Sequence, residues 1–92
     1  MNDKSQIEIE AEEARRVLDS PAFRRATTIV KAKIIQDFES TNLFQKRKRD
    51  EAWRRLKTLR AIESELKRQI DAGYQAERQR EAKNRHKKLR GL

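Results

Sequence analysis

The chain has 92 residues, a formal net charge of +9, one histidine, two glycines and no cysteine. This length allows one domain at most, and without cysteine neither a disulfide nor a thiolate metal site is available to stabilise it. The first fourteen residues are acidic overall, and no apolar run approaches the roughly 18 residues that cross a membrane. We therefore expect an intracellular protein with no signal peptide and no membrane partner.

Apolar residues are scarce but concentrated. Leu, Ile, Val and Phe together number 19, and 15 of them lie between Val17 and Ile70. This composition borders on that of disordered chains, so we expect an ordered centre with frayed ends. Because so small a domain is marginally stable alone, homo-oligomerisation or docking into a larger assembly is also expected.

Charge divides unevenly between the two halves of the chain. Residues 1–45 have a net charge of −1, whereas residues 46–92 have a net charge of +10. Such asymmetry is typical of chains that meet a polyanionic partner.

The first predicted element is an acidic N-terminal helix within residues 1–19. Ser5 and Glu8 form a capping-box pattern, and Ala11 and Ala14 belong to a narrow stripe of small apolar residues at helical spacing. Since this stripe is rich in alanine, we expect the helix to bury little and to be the weakest element.

Residues 20–74 are predicted to form an antiparallel helical hairpin, which makes the expected fold class all-α. Ser20 suits an N-cap and Pro21 the first helical position, so one amphipathic helix should run over residues 21–38. A connection over residues 40–46 leads to a second helix over about residues 47–72. Gly73 is a candidate stop for that helix. The predicted core consists of Val30, Ile34, Leu56, Leu59, Ile62 and Leu66.

The segment after the hairpin, residues 75–92, has almost no apolar face. It is predicted to be a basic C-terminal helix or tail that is either solvated or ordered by a partner.

Catalytic motifs are lacking. His86 is the single histidine and lies in the basic tail, where no core residue would orient it. Glu63 and Glu65 point to different faces of a helix and cannot act as a dyad. With no glycine-rich phosphate loop and no cluster of metal ligands, we expect no enzyme activity, no cofactor and no metal.

Cations are the informative side chains. Lysine and arginine neutralise phosphates and release counterions, which gives affinity that depends on salt but not on sequence. A run of charges is also typical of a solvated helix face, and no base-reading motif accompanies this one. The residues predicted to bind nucleic acid or another anion are Lys46, Arg47, Lys48, Arg49, Arg54, Arg55, Lys57, Arg60, Arg78, Arg80, Lys83, Arg85, Lys87, Lys88 and Arg90.

Three large apolar residues are predicted to form a partner interface. Leu43 and Phe44 lie in the predicted connection, where they must either cap the hairpin or contact a partner. Trp53 lies beside the apolar stripe of the second helix, either as a residue at the edge of the core or as an interface anchor.

Several short segments resemble a family of small helical proteins encoded among the virion genes of tailed bacteriophages. The resemblance covers roughly residues 10–76. It is carried by Val17-Leu18-Asp19-Ser20-Pro21-Ala22-Phe23 after Ala14, by Ser40-Thr41, by Arg49-Asp50-Glu51-Ala52-Trp53, and by Ile70-Asp71-Ala72-Gly73-Tyr74 after Leu66. It implies a role in phage assembly, with no catalytic residues.

The sequence thus favours a non-enzymatic phage virion or assembly protein, located in the host cytoplasm, the virion or both. Its basic helix surface would bind DNA non-specifically or contact a capsid, portal or packaging partner. Two alternatives remain open. In the first, the chain docks on and modulates an acidic host or phage protein complex. In the second, it acts as a free-standing DNA-binding regulator.

Overall fold

A computed structural model describes residues 4–91, so residues 1–3 of the predicted N-terminal helix segment and residue 92 of the predicted tail lie outside it. Every regular element in the described range is an α-helix, which confirms the all-α class. Helix α1 comprises Gln6–Asp19, α2 comprises Pro21–Glu39, and α3 comprises Lys46–Arg90.

The first two helices begin where the sequence predicts. The Ser5 hydroxyl accepts a hydrogen bond from the backbone N–H of Glu8 at 3.3 Å. Ser20 caps α2 by accepting from the N–H of Phe23 at 3.4 Å, and Pro21 occupies the first helical position. These caps satisfy N–H groups that have no partner within the helix. The predicted break before Pro21 is therefore confirmed.

Helix α3 does not stop near Ala72, and the prediction of a helix end at Gly73 is wrong. No residue from 4 to 91 has a positive φ angle, so Gly73 does not adopt the left-handed conformation that ends many helices. The residues that follow are mainly Gln, Ala, Glu, Arg and Lys, all good helix formers. The helix therefore continues to Arg90, and residues 75–90 of the predicted tail are helical.

The chain groups into two compact units. We call the residues up to Val17, together with those from Leu66 onward, unit 1. Unit 2 is Leu18–Glu65.

Unit 1 is packed through small residues. Ala11 and Ala14 of α1 are only 5% and 3% exposed, and Gly73 of α3 is buried as well. A Cβ atom added at Gly73 would collide with the Cβ of Ala11 and would lie 3.6 Å from the carbonyl oxygen of Ile7. Gly73 is thus required for the close approach of α1 to α3, which explains its position inside a helix.

Unit 2 has a core of three buried residues, Ile34, Ala52 and Leu56. The ion pair between Lys31 and Glu63, at 2.8 Å, also joins α2 to α3. Lys67 stands four residues after Glu63, at a spacing that often forms ion pairs, but Glu63 pairs with the more distant Lys31.

The predicted core is only partly confirmed. Ile34 and Leu56 are buried, and Leu59 and Leu66 are partly buried. Val30 and Ile62 remain 44% and 50% exposed, so their assignment to the core is wrong. The physical reason is the narrowness of the contact between α2 and α3, which covers only part of each apolar stripe.

The close approach at Gly73 generates a stability prediction. Alanine in a helix interior is normally about 1 kcal/mol better than glycine, but overpacking costs about 1–3 kcal/mol. Since a Cβ cannot rotate away from its neighbour, we expect Gly73→Ala to lower the free energy of unfolding. The swap Ala11→Gly/Gly73→Ala should recover most of the loss.

Urea unfolding followed by circular dichroism measures this effect. Gly91→Ala is the matched control, because a Cβ there would meet its nearest atoms at ordinary distances of 3.5 and 3.6 Å. An increase in stability on Gly73→Ala would contradict the close-packing explanation.

Candidate functional site

All fifteen cations predicted to bind anions lie on α3. Thirteen of them have exposed side chains, whereas Arg49 and Arg80 are partly buried. Their surroundings differ, and the differences separate the cations that have a structural role from those that are available to a partner.

The run at the start of α3 has no acidic partner. Among residues 4–91, no carboxylate lies within 4.0 Å of the side-chain nitrogens of Lys46, Arg47, Lys48 or Arg49. The same holds for Arg54, although Asp50 stands four residues before it on the helix, at a spacing that often forms ion pairs. These five cations therefore have no ion-pair partner among the described residues, and all of them except Arg49 are exposed.

The position of this run is unfavourable for the helix that contains it. The N-terminus of a helix carries a partial positive charge, so acidic residues stabilise the first turn and cations destabilise it. The first turn of α3 contains no acidic residue and begins Lys46-Arg47-Lys48. Helix stability therefore does not explain the run.

Cations at the other end of α3 have the opposite relation to the helix. Lys87, Lys88 and Arg90 lie in the last turn, where positive charge stabilises the negative end of the helix. From Lys83 to Arg90 the chain has five cations and no acidic residue. This cluster has a structural explanation and is also exposed to solvent.

Arg80 differs from the other fourteen cations. Its guanidinium donates two hydrogen bonds to the carboxylate of Glu8, at 3.0 and 3.2 Å. Glu8 is only 5% exposed, and this bidentate contact is what compensates its buried charge. The hydrogen bonds from Arg80 to Glu8 raise the pKa of the guanidinium above its ordinary value. Arg80 thus holds α1 to α3 in unit 1.

Arg55 is shared between two carboxylates. It lies 3.8 Å from Asp37 of α2 and 3.9 Å from Glu51, its neighbour on α3. The second contact joins residues at the i,i+4 spacing, which places side chains on neighbouring turns of one helix face. Because all three side chains are more than half exposed, these contacts contribute well under 1 kcal/mol each.

Trp53 lies under two cations. The Nζ of Lys57 is 5.4 Å from the ring centroid, and the guanidinium carbon of Arg60 is 5.8 Å from it. Trp53 remains 45% exposed. It borders an apolar cleft of about 340 Å³, which Ile35 and Phe38 of α2 also line. Phe38 is 46% exposed although it lies on the apolar side of α2.

Leu43 and Phe44 are the most exposed large apolar residues of those described. They are 84% and 95% exposed and do not cap a core. Polar side chains hold the connection in place, since Asn42 accepts from the N–H of Phe44 at 2.9 Å and Gln45 accepts from the N–H of Asn42 at 3.1 Å. The two apolar side chains are thus presented to solvent on an ordered turn.

Two contacts of unit 1 were missed by sequence reasoning. Besides the pair between Glu8 and Arg80, the guanidinium of Arg15 lies 4.9 Å from the ring centroid of Tyr74. Both contacts join α1 to distant positions of α3. The only sequence signal for either contact was that Glu8 lies one turn before Ala11, on the helix face that contains the small apolar residues.

Comparisons with known proteins give no match to a family, a curated protein or a solved structure. No helix within residues 4–91 is both long and apolar enough to span a membrane. The described part of the chain also contains no group of three or more side chains arranged to hold a metal ion.

The buried pair in unit 1 generates a second prediction. Arg80→Met would leave Glu8 buried without its partner, and a hydrogen bond to a charged group is worth about 1.5–3 kcal/mol. We expect a loss of unfolding free energy of that size. Glu8→Leu/Arg80→Met should recover much of it, because an apolar pair often replaces a buried ion pair at little cost.

A double-mutant cycle measured by urea unfolding tests this coupling. Arg78→Met is the control, since Arg78 is exposed and its replacement should change stability by at most about 0.5 kcal/mol. Additive effects of the two single substitutions would show that Glu8 and Arg80 do not stabilise each other.

Proposed function

We propose that this protein is a non-enzymatic binding protein whose α3 surface holds DNA without reading its sequence. The observation that supports the proposal most strongly is the run Lys46–Arg49, together with Arg54. These side chains are unpaired within residues 4–91, and the run itself opposes the stability of its own helix. Such an arrangement is expected where a partner, and not the fold, supplies the compensating negative charge.

A second cluster, from Lys83 to Arg90, lies in unit 1 and is a separate candidate for phosphate contacts. Its cations also stabilise the end of α3, so by themselves they do not require a polyanion. Arg80 is left out of the surface, because its guanidinium is occupied by Glu8. Phosphate contacts made by many exposed cations favour affinity that is independent of sequence.

We also propose that α2 and the first half of α3 form the antiparallel hairpin predicted from the sequence. Two ion pairs support it: Lys31 near the middle of α2 meets Glu63, whereas Asp37 near the end of α2 meets Arg55. Later positions on α2 thus contact earlier positions on α3. In this arrangement the hairpin holds Lys46–Arg49 beside the turn that joins its helices.

We propose that the protein acts in a tailed bacteriophage, either in the virion or during virion assembly in the host cytoplasm. This setting is supported by the sequence resemblance to small helical proteins of virion genes. DNA and the capsid, portal or packaging proteins around it are the polyanionic or acidic partners that such a setting supplies.

A second function, docking on an acidic protein, is favoured by one observation. Leu43 and Phe44 are nearly fully exposed immediately before the cation run. A protein surface with carboxylates around an apolar pocket would contact both features together, whereas DNA phosphates would contact only the cations. The two functions differ in salt dependence, since an interface with a large apolar contribution weakens less as salt rises.

DNA binding at several salt concentrations tests the first proposal. Fluorescence anisotropy with two duplexes of unrelated sequence should give equal affinities and a steep linear fall of log affinity with log salt. Arg47→Glu/Arg54→Glu should weaken both complexes alike and flatten the slope by about one unit for each lost phosphate contact.

Arg25→Glu/Lys33→Glu is the matched control, because it makes the same change in net charge on exposed residues of α2. Its effect should be much smaller. Absence of DNA binding at low salt would contradict the proposal, as would equal effects of the two double variants.

A further inference from the structure

Unit 2 has an apolar cleft with no covering element in the described chain. Its main lining residues, Ile35, Phe38 and Trp53, are 47%, 46% and 45% exposed. They lie beside the buried contact that Ile34, at the same level of α2, makes with α3. A contiguous apolar cleft of this kind is typical of a docking site.

The small core of unit 2 indicates that covering the cleft matters for stability. Only Ile34, Ala52 and Leu56 are buried in this unit. Chains with so little buried apolar surface are usually stabilised by association, a metal or disulfides. Disulfides are not available to this cysteine-free chain.

The two charged residues that line the cleft are opposite in sign. Glu39 lies in the last turn of α2, which contains no basic residue and whose partial negative charge disfavours a carboxylate. Arg60 lies on α3 over the Trp53 ring. Within residues 4–91 neither side chain has an ion-pair partner, so Glu39 lacks a cation and Arg60 lacks a carboxylate.

The register between the helices places these charges at diagonal corners of the cleft. The pairs Lys31–Glu63 and Asp37–Arg55 put Arg60 level with about residue 33 of α2. Arg60 is therefore offset by about six residues, or roughly 9 Å along the helix axis, from Glu39 on the other helix.

We propose that the cleft is occupied by the same cleft of a second copy of this chain. The two-fold axis would lie in the plane between the two copies, perpendicular to the line that joins Glu39 to Arg60. Rotation about this axis exchanges the Glu39 and Arg60 corners, so Glu39 of each copy meets Arg60 of the other, and this ion pair forms twice. The apolar side chains between the corners cover their counterparts. A self-complementary interface requires one acidic and one basic residue at opposite ends, as Glu39 and Arg60 are. A purely acidic partner would instead place negative charge next to the Glu39 carboxylate.

Salt distinguishes this proposal from the proposed function. Each copy has a net charge of +9, so salt screens the repulsion between copies and should strengthen association. DNA binding weakens with salt. Association measured without DNA therefore stands or fails independently of DNA binding.

Sedimentation equilibrium of the full chain at micromolar concentration is the test. The unaltered protein should be a dimer, and Glu39→Arg and Arg60→Glu should each weaken the dimer at least about tenfold, because like charges then face each other. The double variant Glu39→Arg/Arg60→Glu restores opposite charges across the axis and should recover most of the affinity.

Lys33→Glu makes the same charge change as Arg60→Glu. Lys33 lies on the opposite side of α2 from Ile35, since residues two apart on a helix point about 200° apart. The substitution Lys33→Glu should therefore not weaken the dimer.

Trp53 is the only tryptophan, so its emission should shift to shorter wavelength as the dimer forms. A monomer at micromolar concentration would overturn the proposal, as would a dimer that is unaffected by both single reversals or not restored in the double variant.

Discussion

The shortage of large apolar side chains is the constraint on which the rest of this structure depends. Unit 2 buries Ile34 and Leu56, and the described part of unit 1 buries no large apolar side chain. The contact between α1 and α3 relies instead on the close approach of Ala11 to Gly73, where small residues bring many backbone atoms into van der Waals contact. Because such a contact is intolerant of added volume, the fold depends on a glycine more than on any apolar residue of unit 1.

Ion pairs between helices contribute part of the stabilisation that apolar contacts provide in most domains. The bidentate contact between Glu8 and Arg80 closes unit 1 beside the small residues, and Lys31 with Glu63 joins α2 to α3 in unit 2. The cations at the start of α3 have no such role among the described residues. The separation between cations bound into the fold and cations left free is the basis for our proposal that the surface of α3 binds a polyanion.

Local signals in the sequence were sufficient for the helix starts and for the fold class. Ser5 and Ser20 cap their helices as their residue types predict, because a cap depends on neighbours within one turn. Gly73 was misread because a glycine is equally typical of a helix end and of a close helix contact. The partner of Glu8 lies 72 residues away, and nothing local indicates such a distance. The charged surface was predicted from composition, but the roles of Arg80 and of the cleft depend on packing.

We propose that the cations at the start of α3 serve a partner at the expense of helix stability. Lys46→Glu/Arg47→Glu tests it directly, with thermal melting and DNA affinity measured on the same sample. Acidic residues favour a helix N-terminus by about 0.3–1 kcal/mol each, so we expect the melting temperature to rise while DNA affinity falls. Lys87→Glu/Lys88→Glu should instead lower the melting temperature, because those cations stabilise the helix end. A Lys46→Glu/Arg47→Glu protein that melts at a lower temperature than the unaltered chain, or that binds DNA as tightly, would contradict this proposal.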